Sequence, residues 1–240
     1  MTWAFAANIT PGSNKTANQT TLSLTYTANI NDFVVFGIAI DNNASIDGSD
    51  AIISNIYSTD GTKFNSWANY CNSKGEPTDG VTGQLIYGFA QSSASNTITI
   101  ELLNSTSRDA SAWAGARFTK DPNTFISGAF SAVANDFVDP SSLSITSPDT
   151  ETLRVRLVAS ESSTTNALTT TASFTEIPGT NTSGGTSNSN VGIRMEWIIY
   201  TGTNIASNPT LYSATHVSLY TYFLETTNTF PQYLSAIGVG

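Results

Sequence analysis

The densest group of candidate ligands in the chain is Asp41-Asn42-Asn43-Ala44-Ser45-Ile46-Asp47-Gly48-Ser49-Asp50. The carboxylates of Asp41, Asp47 and Asp50, with two amides beside them, are the hard oxygen donors that Ca2+ takes. Only part of a calcium loop is present: glycine misses the sixth position, and Ile52 stands where a bidentate acid belongs. Asx-rich turns also join strands without any ion, so the expectation is no cofactor, with Ca2+ as the alternative.

Sugar stacking needs exposed aromatics beside amides. Tyr57, Trp67, Tyr70, Tyr87, Trp113, Tyr200, Tyr220 and Tyr222 are available, and most belong in cores or cross-strand pairs. Trp67 and Tyr70, flanked by Asn65, Asn69 and Asn72, read as an exposed loop and are the candidate glycan-binding pair.

Catalytic constellations are thin. Glycoside hydrolysis needs two carboxylates, and Glu196 is the one acid inside a strongly apolar stretch, Arg194-Met195-Glu196-Trp197. An ion pair with Arg194, or a solvent-facing position, accounts for it. His216 is the only histidine, too few for an imidazole-held metal. No Gly-x-Ser-x-Gly elbow exists, and Cys71 stands alone as a small apolar residue. The chain is expected not to be an enzyme.

The elements that would position these residues are strands. Leu22, Leu24 and Tyr26 alternate with Thr and Ser, as do Ile98, Ile100 and Leu102, the pattern of half-buried strands. Phe33 to Ile40 is apolar on both faces and reads as a central, doubly covered strand. Leu153, Val155, Leu157 and Ala159 alternate with Arg154 and Arg156, and Val217, Leu219 and Phe223 oppose His216, Ser218, Tyr220 and Tyr222. Further strands are predicted at 51–57, 84–90, 112–119, 143–147, 170–176 and 192–200. Turns are predicted at Asp60-Gly61, as a hairpin, and at the Pro-Gly pairs 11–12 and 178–179. Residues 123–137 fit a loop or a short helix. No internal repeat is visible. The predicted fold is all-β, an antiparallel β-sandwich of jelly-roll type, with 1–19 an arm or edge strand, 20–224 the sandwich and 225–240 a tail.

Charged residues make up 11% of the 240 residues, well under the usual quarter, and Ser, Thr and Asn fill the gap. The net charge is −9 and the nine Lys and Arg are scattered, which argues against nucleic acid and anionic membranes as partners. No apolar run is long enough to span a bilayer, and the first residues do not read as a signal peptide.

In order and character the strands resemble a β-sandwich domain of tailed-phage structural proteins and bacterial surface proteins. Thr20-Thr21-Leu22-Ser23-Leu24-Thr25-Tyr26 leads into Phe33 to Ile40; Ile52 to Gly61, Gln84 to Phe89, Asn96 to Ile100 and Ala112 to Phe118 follow. Residues 144–147, 153–155 and 214–224 complete the likeness. The resemblance implies a place on the exterior of a virion, and no activity. It ends before Phe230, Tyr233, Leu234, Ile237 and Val239, apolar residues that favour burial over water, either on their own domain or on a neighbouring subunit, which Trp3 and Phe5 could join. The expected function is thus a capsid decoration or fibre protein, with other virion proteins and copies of itself as partners. A glycan-binding module and a β-sandwich glycosidase are the alternatives.

Overall fold

A computed structural model describes residues 2–42, 52–72, 80–103, 108–120, 125–128, 130–138, 142–161, 169–184, 190–210 and 214–226. Among them there is no helix. The first half of the chain holds β1 (Ala4–Asn14), β2 (Thr21–Thr27), β3 (Phe33–Asp41), β4 (Ile53–Ser58), β5 (Asn65–Asn72), β6 (Val81–Phe89), β7 (Ser95–Leu102) and β8 (Ser111–Thr119). The second half holds β9 (Phe125–Ser127), β10 (Phe130–Val138), β11 (Leu143–Thr146), β12 (Glu151–Glu161), β13 (Thr175–Asn181), β14 (Val191–Thr201), β15 (Asn204–Ser207) and β16 (Ala214–Thr226).

The fold is all-β and antiparallel, and its sheets stack in four layers. Sheet I is β2-β7-β4, sheet II β1-β8-β3-β6-β5, sheet III β10-β16-β12-β14-β13 with β9 also on β16, and sheet IV β11-β15. Leu22, Leu24, Ile98 and Ile100 of sheet I pack on Val34, Phe36, Ile38 and Ile86 of sheet II. The other face of sheet II, with Phe33, Val35, Leu85 and Phe118, meets Leu153, Leu157, Met195, Leu219 and Phe223 of sheet III. A smaller cluster of Leu143, Ile145, Phe174, Tyr220, Tyr222 and Leu224 joins sheets III and IV. The doubly apolar β3 is buried along its whole length, as its sequence requires.

The two halves of the chain repeat one plan. With β9 and β10 read as one interrupted edge strand, sheets II and III have the same strand order, β8, β3, β6 and β5 standing where β16, β12, β14 and β13 stand. Phe33 lies between Phe89 and Phe118 as Leu153 lies between Ile199 and Phe223. The pair β2-β7 recurs as β11-β15, while the place of β4 is held by a single bridge, Thr169↔Thr210. Contacts between the central sheets are reciprocal: β6 meets β16 as β14 meets β8, and β5 meets β10 as β13 meets β1. That is the pattern of an isologous dimer, here within one chain.

The repeat is hidden in sequence because the two contact faces have diverged in volume. Gly37, Gly83, Ala112 and Ala114 occupy the register positions of Leu157, Ile193, Val217 and Leu219. A face of small residues therefore receives a face of large ones. A Cβ on Gly37 would come within 2.7 Å of Met195 Sδ and 2.9 Å of Leu157 Cδ1.

Several local expectations need correction. Asp60-Gly61 does turn the chain, with Gly61 at φ 77, but β4 and β5 then enter different sheets and form no hairpin. Asp60 holds that corner by accepting from Ser58 Oγ, Thr62 N and Gln91 N. The two Pro-Gly pairs are not turns. Each sits in a register shift of an edge strand, Ile9/Gly12 in β1 and Ile177/Thr180 in β13, where a missing N–H costs no ladder bond. Residues 125–127 and 130–138 are strand. The segment 1–19 carries β1, which pairs with β8 at the edge of sheet II. Strand β13 begins later than the predicted 170–176. A jelly roll also pairs its fourth and fifth strands; here β5 pairs with β6 instead.

Candidate functional site

Edge strand β1 and the outer sheet leave a gap over β8. In that gap lies a cleft of about 440 Å³, lined by β1 from Ala7 to Gly12, by β2 residues Ser23 and Thr25 to Thr27, and by Trp113 and Arg117 of β8. Its size falls in the range of small-molecule sites, roughly 300–1,000 Å³. Local backbone chemistry makes the floor. The bulge at Ile9/Gly12 pairs Gly12 with Trp113, and a Cβ at Gly12 would fall on the indole ring. Only glycine lets the ring lie that close to the edge strand.

Arg117 is held from behind. Its Nη1 donates to Asp32 Oδ2 at 2.7 Å, and that same oxygen accepts from the Asn29 N–H at 2.9 Å. Asp32 is buried, so the guanidinium is fixed while a fifth of its side chain faces the cleft. The remaining Arg117 donors, the Trp113 indole N–H, and the side chains of Asn8, Thr10, Ser23, Thr25 and Thr27 make no hydrogen bond among the described residues. The cleft thus combines one aromatic ring, one anchored cation and a fringe of hydroxyls and amides.

The residues singled out from sequence lie elsewhere. Trp67 falls in the register shift of edge strand β5, between Ser66 and Ala68, and not in a loop. Tyr70, in the same strand, packs against the core between sheets II and III. Trp3 is 4% exposed, its ring edge-on to Phe33 and its backbone N–H bonded to Glu151 Oε1, so it is committed to its own core. Phe5 is 40% exposed and stacks on Trp197 at 5.1 Å. Phe230, Tyr233, Leu234, Ile237 and Val239 lie outside the described residues, as do Asp47 and Asp50.

Asp41 ends β3 in a fully buried position. Burial, with Asp109 and Glu161 adding repulsion, pushes its carboxyl up to about 7 against the pull of Arg108. Arg108 Nη1 donates to the Asp41 carbonyl at 2.9 Å and to Asn42 Oδ1 at 3.2 Å. Among the described residues no three acids, histidines or cysteines come together.

Glu196 is neither exposed nor paired with Arg194. It faces Arg156 across the β12–β14 ladder, and its carboxylate accepts from Thr171 N at 2.7 Å, from Thr171 Oγ1 at 2.8 Å and from Ser207 Oγ. Arg156 donates to Ser207 O at 2.6 Å and to Ser218 Oγ at 2.9 Å, and burial lowers its pKa to about 10 in spite of Glu196. Arg154 donates from Nη2 to Ser147 Oγ at 2.7 Å and Gly202 O at 2.8 Å. These arginines fasten the carbonyls of the short β11–β15 ribbon, which alone is too small to be stable. The corresponding residues in the first half are Val34, Phe36 and Ile86, an apolar solution to the same inter-sheet gap. Arg154, Arg156 and His216 alternate with the core residues of their strands yet are fully buried; the ribbon covers the two arginines.

Trp113 was in view as one aromatic among many, and Arg117 was not in view at all. The signal available was a Pro-Gly pair inside a strand-like stretch near the N-terminus, the mark of a bulged edge. Compared with known proteins, the chain matches no family model, no curated protein and no solved structure. Fold and site define it as an all-β protein of two face-to-face sandwiches with one polar, aromatic-floored cleft.

Proposed function

We propose that the chain is a non-enzymatic structural protein of a phage particle, a capsid-surface decoration or fibre protein that assembles through its sandwiches and its C-terminal residues. The observation that carries this reading is where the scarce charges go. Arg108, Arg154, Arg156, Arg194 and Glu196 are all buried and hydrogen-bonded to the fold's own backbone and hydroxyls. These charges serve as internal fasteners of a four-layer slab, and the exterior, poor in charge and rich in hydroxyls and amides, suits permanent exposure. The sticky run from Phe230 to Val239 supplies a means of attachment.

Deleting residues 229–240 tests it. Particles assembled with the shortened chain are expected to lack it, while its urea midpoint stays that of the full chain. Normal incorporation of the shortened chain would remove the main support for assembly through the tail.

A further inference from the structure

We propose that the cleft between β1, β2 and β8 binds a neutral saccharide, one sugar ring lying on the Trp113 indole with its hydroxyls bonded to Arg117 and the cleft rim. This goes beyond the structural role above and does not depend on it.

The chemistry of the lining selects the ligand class. A pyranose has an apolar face of axial C–H bonds and a rim of hydroxyls, each both donor and acceptor. It therefore needs a flat apolar platform with mixed polar groups around it. The cleft provides the Trp113 indole, in close contact with Gly12, as platform, and Asn8, Thr10, Ser23 and Thr25 as rim. None of those rim side chains is engaged elsewhere among the described residues, so their donors and acceptors are available to a ligand.

Arg117 adds directed donors at little ordering cost. Its bond to Asp32 fixes the guanidinium before any ligand arrives, which keeps the entropy penalty of binding low. The same bond places a carboxylate beside the cation, so the site carries little net charge. With a chain charge of −9, a polyanionic ligand would be repelled at long range. A purely apolar ligand would strand the Arg117 and indole donors. A neutral, hydroxyl-rich ring satisfies both limits.

The second half of the molecule carries different residues at the equivalent place. At the register positions of Trp113 and Arg117 stand Ser218 and Tyr222. Ser218 there accepts from Arg156, and Tyr222 joins the apolar cluster under sheet IV. The Trp–Arg pair that lines the cleft is thus replaced at the equivalent positions of the second half by side chains committed to the contact between sheets III and IV.

The test uses the full chain and an array of neutral oligosaccharides built from glucose, galactose, mannose and N-acetylglucosamine, followed by saturation-transfer NMR on any hit. The expected result is binding in which ring C–H protons receive the strongest saturation. Trp113→Ala should weaken it at least tenfold. Thr25→Tyr, on the exposed side of β2, fills the cleft without entering the core and should abolish it, whereas Tyr57→Ala on sheet I should leave it unchanged. No binding by any neutral saccharide at millimolar concentration overturns the proposal. So does binding indifferent to Thr25→Tyr, or binding confined to anionic sugars.

Discussion

The contact between Gly37 and Leu157 offers the sharpest test of how the two halves recognise each other. Gly37 lies in the middle of β3, where glycine is a poor strand residue unless something must approach closely. Here three side-chain tips do: an added Cβ would sit 2.7 Å from Met195 Sδ, 2.9 Å from Leu157 Cδ1 and 3.0 Å from Ile193 Cδ1. Two of these distances are below any ordinary carbon contact. Both neighbours are fully buried, so any shift that relieves the contact has to be absorbed within the core. Gly37→Ala should cost about 1–3 kcal/mol by overpacking, reduced by up to about 1 kcal/mol through the stiffer unfolded chain. Leu157→Ala alone should cost about 3–5 kcal/mol, its lost contacts plus the cavity it leaves. In the double variant the new methyl at 37 enters the cavity at 157. The pair should therefore be at least 1 kcal/mol more stable than the two single costs added together. Urea denaturation of the parent and three variants at a common m-value measures this coupling. Additivity to within about 0.5 kcal/mol, or a Gly37→Ala protein as stable as the parent, would refute the account of a small face receiving a large one.

Three further outcomes are expected. Asp41 has its carboxyl raised from 3.8 to about 7, chiefly by burial, so the fold favours its neutral form. Its contribution is fully present below pH 4 and lost as pH rises through 7, by on the order of 4 kcal/mol for roughly three units at 1.36 each. Asp41→Asn should remove that loss, so the stabilities of the two proteins should diverge between about pH 4 and 7 in favour of the variant and stay apart by a constant amount above pH 7; parallel curves would contradict it. Arg156→Met leaves Glu196 buried without its cation and should destabilise by about 3–5 kcal/mol, largely recovered by adding Glu196→Leu; an unchanged melting temperature for the single variant would count against the pair. Finally, residues 1–120 and 125–240 produced together should copurify as a one-to-one pair, and neither should form a stable homodimer by light scattering, because two small faces leave voids and two large faces collide.

Much of the fold was legible because alternation is a local property. Strands β2, β3, β7, β8 and β14 could be read from side-chain type alone, since period-two patterns follow from the pleat whatever the strand packs against. The expected failures cluster where a second layer intervenes. Arg154 and Arg156 look solvated until the β11–β15 ribbon covers them, and Asp60-Gly61 looks like a hairpin until its strands join different sheets. The repeat was illegible because Gly37 and Leu157, or Phe36 and Arg156, fill equivalent places with opposite volumes and polarities. The cleft was illegible because Trp113, Arg117 and Gly12 meet only through pairing of the first strand with the eighth.

By itself the sequence determined an all-β chain, the positions of most strands, a doubly buried β3 and a surface poor in charge. Each of these depends on the residues within one strand length. Only the tertiary structure decided which strands became neighbours, that two sandwiches face each other, and that Trp113 and Arg117 line a cleft while their counterparts are committed to the contact between sheets III and IV. Those outcomes rest on complementarity between segments separated by tens of residues or more within a sandwich and by about a hundred or more between the two halves, which no local pattern records.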